Sequence, residues 1–372
     1  MKRKILVISH DFVKKVNIKI YEKLGLEKNI SLMCIRPKKL KINGKNFSKD
    51  FKKNDSNIKI IEKSIKFNSL RFLFFSNVIE IIKSFKPKEI IIHNDPISFQ
   101  VFILIIYSFV FNYSIYCVSN ENNIITNKKK FNRSKLARVI LLFFLNLIIK
   151  NKIKKIFCIS KHIKKNYDFL GYRKKTVLLP LGFDEKIFKK KKRKSKEKIF
   201  IISYFGRITK DKGIHILLRA LEKVKFKFKF FLDVTHVNDH KYYKEILNRF
   251  EPILKKSKVK KIKCDYFQIS KFMSDSDLVV LPSIYEEQYG RVIQEAVASG
   301  SLVIGSDVGA IPEILKDKDL LFKNQHHNEL AYKINKLKNR NFYETKINTL
   351  YRRIMKERTL EKQLVILKKI FA

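Results

Sequence analysis

Tryptophan is absent from the 372 residues, and glycine occurs only ten times. With lysine, isoleucine, asparagine and phenylalanine abundant, this is the bias of an AT-rich genome, which excludes reading every lysine as functional. Acidic residues are scarce too: 34 Asp and Glu face 82 Lys and Arg, a formal charge of +48. Self-repulsion on that scale favours an anionic partner, whether membrane headgroups, a phosphorylated substrate or nucleic acid. The four cysteines, Cys34, Cys117, Cys158 and Cys264, are widely scattered. They have neither zinc-ligand spacing nor the density of a disulfide framework, so a reducing compartment is expected. Lys2, Arg3 and Lys4 run into only four apolar residues and Ser9 before His10 and Asp11, so a cleaved leader is not expected. What is present is globular composition, 45% hydrophobic and 31% charged, over a length that suits two domains or slightly more.

Short apolar runs bounded by charge mark strands buried on both faces. They occur at 4–9, 30–35, 89–93, 114–118, 155–159 and 176–179, and again at 199–204, 228–234, 278–281 and 301–304. Helix-length segments separate most of them, the pattern of parallel strands joined by crossover helices in an α/β fold. The two series break at 180–198, where Leu-Pro-Leu-Gly-Phe-Asp precedes a run dominated by lysine. A proline, a glycine and a charge block predict a solvated basic linker over 181–198. Domains are therefore expected at 1–180 and 199–350, with a C-terminal helix over 351–372. Its face carries Leu360, Leu364, Leu367 and Phe371.

Two segments invite reading as membrane spans. Residues 97–120 contain no charged residue, yet Asn112, Tyr113 and Ser114 split them into a helix of about thirteen residues and a strand. Residues 136–149 carry Arg138 and Asn146 and are also short. They lie between Lys128–Lys130, Arg133 and Lys135 on one side and Lys150, Lys152, Lys154 and Lys155 on the other. An apolar helix between basic clusters suits either a buried core helix or docking to anionic lipid.

The first chemically informative block is Tyr204-Phe-Gly-Arg-Ile-Thr-Lys-Asp-Lys-Gly213. A strand ending near Gly206 enters a helix from Gly213 through a loop bearing Arg207, Lys210 and Lys212. Fixed positive charge and helix N-terminal amides at the carboxyl end of a parallel sheet are the conditions for holding a diphosphate. The second block runs from Leu281-Pro-Ser-Ile-Tyr-Glu-Glu-Gln-Tyr-Gly290 to Gly300 and is followed by Gly309-Ala-Ile-Pro-Glu313. Glu287 and Glu295 are separated by seven residues, one in the loop after a strand and the other about two turns into a helix. One carboxylate can hold sugar hydroxyls and the other a ribose diol. Asp275-Ser-Asp277 is a D-x-D sequence, but it ends a helix before a buried strand, so no metal site is expected there or elsewhere.

These motifs, with Leu179-Pro-Leu-Gly-Phe-Asp184 and Phe188, resemble the signatures of the GT4-type retaining glycosyltransferases of the GT-B fold. A weaker likeness extends through Ser160, Gly171 and Val177. The resemblance implies two Rossmann-like domains facing a central cleft, the donor held mainly by the C-terminal one, and a C-terminal helix crossing back. It implies that Arg207 and Lys212 neutralise the donor diphosphate and that Glu287 contacts the sugar near the reacting carbon. Gly206 and the amides of Tyr289 and Gly290 would lie near the donor, and Glu295 would bind its ribose. The departures fall in the N-terminal half. Where many relatives have a glycine-rich loop, this chain has Ser9-His10-Asp11-Phe12-Val13-Lys14-Lys15, which points Lys14 or Lys15 towards acceptor binding. His93 is a further acceptor-side candidate, and Leu232-Asp-Val-Thr235 replaces a Gly-x-Gly expected near the base.

The expected activity is transfer of a sugar from a nucleotide sugar to a glycan or lipid-linked acceptor with retention of configuration. The nucleotide sugar is a co-substrate, and no other cofactor is expected. Location would be cytoplasmic, peripheral on the inner face of an anionic membrane. Two rivals stay open: a nucleotide-sugar epimerase of the same fold, and a basic nucleic-acid-binding protein. Dispersed charge and the lack of a recognised nucleic-acid motif count against the second.

Overall fold

The computed structural model describes residues 2–42, 45–67, 69, 72–120, 151–190 and 199–371. The chain divides into two compact units, Met1–Pro180 with Gln363–Ala372, and Leu181–Lys362. The segment 136–149 and the lysines at 128–130, 135 and 150 lie outside the described residues, as does the basic run 191–198.

The first unit is built on β1 (Arg3–Ile8), β2 (Ile30–Pro37), β3 (Lys59–Lys63), β4 (Glu89–Ile92), β5 (Ser114–Ser119), β6 (Ile153–Cys158) and β7 (Thr176–Leu178). They form one parallel sheet in the order β7-β6-β5-β4-β1-β2-β3. At its centre β1 pairs with both neighbours, Ile5 opposite Leu32 and Leu6 opposite Ile90. Ile5 to Ile8 have no exposed surface, as expected of a strand covered on both faces. The second unit repeats the plan with β8 (Phe200–Tyr204), β9 (Phe228–Asp233), β10 (Lys260–Ile262), β11 (Leu278–Leu281), β12 (Leu302–Ser306) and β13 (Leu321–Phe322), in the order β10-β9-β8-β11-β12-β13. In each sheet the strand order reverses beside the first strand, between β1 and β4 and between β8 and β11. Ligands of open α/β sheets bind outside the carboxyl ends at such a point.

The central strands match the apolar runs of the sequence, whereas β3, β10 and β13 do not. Lys59-Ile-Ile-Glu-Lys63 and Lys260-Lys-Ile262 carry charge along much of their length, and Leu321–Phe322 is two residues long. All three are sheet edges, where one side faces no further strand and a continuous apolar run is not required. Residues 97–120 divide as predicted, into the helix Phe99–Ser108 and β5. Among the described residues no helix is long and apolar enough to cross a membrane.

Residues 181–190 are not a solvated linker. Phe183 and Phe188 are fully buried in the core of the second unit, and Phe183 exchanges backbone hydrogen bonds with Arg358 and Leu360. The lysines that follow suggested solvent, but the two phenylalanines decide where the segment packs. Similarly, the stretch 351–372 is not one helix. Arg340–Glu357 belongs to the second unit and buries Leu350 and Ile354, and a separate helix, Leu360–Phe371, follows. Its last ring, Phe371, meets Tyr116 at 4.8 Å and Phe157 at 6.1 Å in the first unit, and its carbonyl accepts from Arg3 Nη1 at 3.0 Å.

Candidate active site

At the reversal point of the second sheet, the loops leaving β8 and β11 approach each other. Gly213 makes this approach feasible. It has φ +67°, and a Cβ there would lie 1.9 Å from the carbonyl oxygen of Pro282. The helix Ile214–Leu221 starts directly after it. Its preceding turn, Lys210–Lys212, brings Lys212 Nζ to 2.5 Å from Glu287 Oε1 and 3.1 Å from the Tyr285 hydroxyl. The same ammonium lies 4.6 Å from the centre of the Tyr285 ring.

Glu287 accepts on both oxygens. Ser283 Oγ donates to Oε1 at 2.5 Å and the Tyr285 hydroxyl to Oε2 at 2.9 Å. Its backbone is held as well: its carbonyl accepts from Ala310 N, and Gly309, at φ +56°, lies so close that a Cβ would sit 2.4 Å from Glu287 N. A buried carboxylate with one cation and two hydroxyl donors is rigidly aimed. The adjoining cavity, about 270 Å³, is lined by Gly206, Arg207, Lys212, His236, Glu287 and Gly290, among others. Arg207 is exposed at this cavity, while Lys212 is largely covered. Two cations and an oriented carboxylate therefore face one small space, which suits a diphosphate joined to a polyhydroxy group.

Five of the predicted donor residues thus converge, Gly206, Arg207, Lys212, Glu287 and Gly290. Two do not line that cavity. The side chain of Tyr289 is buried, its hydroxyl within hydrogen-bonding reach of the Leu181 carbonyl, 2.8 Å from Gln294 Oε1 and 3.3 Å from Arg358 Nη1. That hydroxyl anchors the start of the unit. Glu295, on the helix Arg291–Ser299, is buried too and accepts from the Tyr266 hydroxyl at 2.9 Å. Burial pushes its pKa up to about 7.

This shift has a measurable consequence. A carboxyl whose folded pKa is raised stabilises the fold fully below its ordinary value of 4.5, and loses that contribution as pH rises through about 7. Unfolding free energy should therefore fall across this interval by roughly 3 kcal/mol from Glu295 alone, opposite in sign to a salt-bridged carboxylate. Glu295→Gln should flatten that part of the profile in urea unfolding at graded pH. An unchanged slope in the variant would show that Glu295 is not the group responsible.

The acceptor-side candidates all fall in the first unit. Lys15 Nζ is committed to Glu22 Oε1 at 2.5 Å and to the Asp55 carbonyl at 2.8 Å, so it orders its own loop. Lys14 Nζ lies 4.0 Å from Asp50. His93 sits at the end of β4 with Nε2 2.7 Å from the Tyr21 hydroxyl and its ring against Phe12 and Tyr21. Desolvation lowers its pKa to about 4, which keeps the imidazole neutral near pH 7. Asp277 Oδ2 accepts from the backbone N–H of Ile201 at 2.7 Å, which makes it a strand-end anchor.

Sequence reasoning assigned no role to Ser283, Tyr285, Tyr266 or His236. The first two lie within four residues of Glu287, but which hydroxyl turns towards the carboxylate depends on the loop path. The glycine signal at Gly309 was visible, though its purpose was not.

The two sheets with their strand orders define a GT-B fold, and solved structures share it along the whole chain. A glycosyltransferase from Rickettsia africae superposes with TM-score 0.74 at 16% identity, covering 100% of this chain and 98% of its own. Anabaena HepE in complex with UDP and glucose gives 0.74 at 17% identity, covering 99% of each. Residues 184–357, which contain the whole cavity, match the model of the family Glycosyl transferases group 1. Among curated proteins, an uncharacterized glycosyltransferase of Methanocaldococcus jannaschii is 28% identical over 217 residues, 52% of this chain and 56% of the relative. The lipopolysaccharide 1,2-N-acetylglucosaminetransferase of Salmonella typhimurium is 29% identical over 134 residues, 32% of each chain. The match thus spans about half of the first relative and a third of the second.

Proposed function

We propose that the chain transfers a sugar from a nucleoside-diphosphate donor to a hydroxyl of a glycan or lipid-linked acceptor, with retention of anomeric configuration. The observation that carries this reading is the Lys212–Glu287 pair facing the Arg207 cavity at the reversal point of the sheet. Arg207 and Lys212 stabilise the negative charge that grows on the diphosphate as the bond from the anomeric carbon to its oxygen breaks. Glu287, its charge balanced by Lys212, holds the sugar hydroxyls. The acceptor oxygen forms the new bond on the face the diphosphate leaves, and the departing phosphate oxygen takes the acceptor proton. The products are a glycosylated acceptor and a nucleoside diphosphate. The acceptor lies with the first unit, near His93 and Lys14. The complexes of HepE with UDP and with UDP-glucose favour a uridine nucleotide. The inner face of a membrane is the working place this reading suits.

The test is a thermal-shift screen of UDP-, GDP- and ADP-sugars, since a ligand of the native state raises the melting temperature. Product NMR on the hits then reads the anomeric configuration. A UDP-sugar should stabilise the protein and pass its sugar on with retention. Inversion, release of an epimerised sugar nucleotide with no glycosylated acceptor, or salt-dependent polynucleotide binding without nucleotide-sugar preference would each overturn the proposal.

A further inference from the structure

The helix Phe99–Ser108 buries one face, Val101, Leu104 and Ile105, against the first sheet. The opposite face of a surface helix is ordinarily polar. Here it is not. Phe99, Phe102, Ile106, Phe109 and Val110, spaced at three, four, three and one, are each more than a third exposed. Phe109 and Val110 reach 67% and 78% exposure. Phe67, itself 59% exposed, packs its ring edgewise against Phe99 at 6.3 Å and extends the strip. Between Glu89 and Glu121 the only ionisable acid or base among Asp, Glu, Lys and Arg is Asp95. Positive charge borders the strip: Lys152 Nζ stands 3.9 Å from the centre of the Phe109 ring, and Lys66 is exposed beside Phe67.

Six exposed apolar side chains along one helix face and its neighbouring loop mark an interaction surface. Charge selects the occupant. Residues 1–180 hold 39 Lys and Arg against 11 Asp and Glu. Bringing two such basic surfaces together opposes self-association, whereas an anionic bilayer neutralises them. Phenylalanine rings reach the boundary between headgroups and acyl chains, while bordering lysines extend their ammonium groups to lipid phosphate. We propose that Phe99, Phe102, Ile106, Phe109 and Val110, with Phe67, form a docking face by which the first unit lies on an anionic lipid bilayer. This face shares no residue with the cavity beside Arg207 and Glu287. Docking does not depend on the transferase reading, because lipid binding is measured without any sugar nucleotide.

Full-length protein is co-sedimented with vesicles of phosphatidylglycerol and phosphatidylcholine, and with phosphatidylcholine alone. Wild type should bind the anionic vesicles in preference. A Phe102→Ser/Ile106→Ser/Phe109→Ser variant should bind them about tenfold or more weakly, since apolar burial is lost. Phe169→Ser, at a side chain 78% exposed outside the strip, should bind like wild type. Circular dichroism checks folding. If the triple variant misfolds, Phe109→Ser and Val110→Ser, the most exposed positions, are compared instead, with the same ordering expected. Wild-type vesicle affinity in the strip variants, or equal binding to neutral and anionic vesicles, overturns the proposal. So does conversion of a dimer to a monomer by the same changes, which would make the strip a self-interface.

Discussion

Glu287→Ala should reduce turnover by about 10²–10³-fold while donor affinity changes by no more than about threefold. The carboxylate is fixed by Lys212, Ser283 and Tyr285 before any substrate arrives. Preorganised groups of this kind contribute most where charge develops, in the transition state and not in the bound donor. Glu287→Gln keeps an acceptor for Ser283 but removes the charge that balances Lys212, so it should recover only part of the loss. Nucleoside-diphosphate release gives turnover, and titration with the donor gives affinity. Wild-type turnover in Glu287→Ala would remove Glu287 from the mechanism.

Lys212→Ala should be the more damaging change, because it acts on both catalysis and the fold. Loss of a preorganised cation is worth about 2–4 kcal/mol of transition-state stabilisation. In addition, Glu287 would keep a buried carboxylate without its cation, a situation that costs about 3–5 kcal/mol in stability. Side-chain exposures of 15% for Lys212 and 10% for Glu287 place the pair in that class. Arg207→Ala should lower turnover similarly but leave stability within about 0.5 kcal/mol, since Arg207 is exposed. The double variant Lys212→Ala/Glu287→Ala should be at least as stable as Lys212→Ala, because the stranded charge is gone. Urea unfolding of the four proteins measures this order, and a double variant clearly less stable than the single would refute the pairing argument. Activity should persist in EDTA, since side-chain cations stabilise the leaving group. A strict requirement for manganese or magnesium would overturn that assignment.

The donor half was the more legible part of the sequence. Glycines are rare here, so those at 206, 213, 290 and 309 stand out. The structure gives all four positive φ values, and at Gly213 and Gly309 it adds a backbone too close for any Cβ. A lysine-rich composition has the opposite effect. Lys14, Lys15, Lys210 and Lys212 look alike in the sequence, yet Lys212 neutralises Glu287 while Lys15 is taken up by Glu22. Choosing between them requires knowing which carboxylate lies within reach.

By itself the sequence determined the two α/β units, their central strands and the loops that carry Arg207 and Glu287. Short apolar runs bounded by charge mark strands covered on both faces, and glycine at a crowded turn leaves no alternative residue. Tertiary structure alone decided the partners of each charge, the membership of residues 181–190 in the second core, and the burial that raises the pKa of Glu295. It also decided that one face of Phe99–Ser108 stays uncovered while the other is buried. These outcomes depend on which surfaces meet in space. Local periodicity states which residues share a face, but only packing removes that face from water.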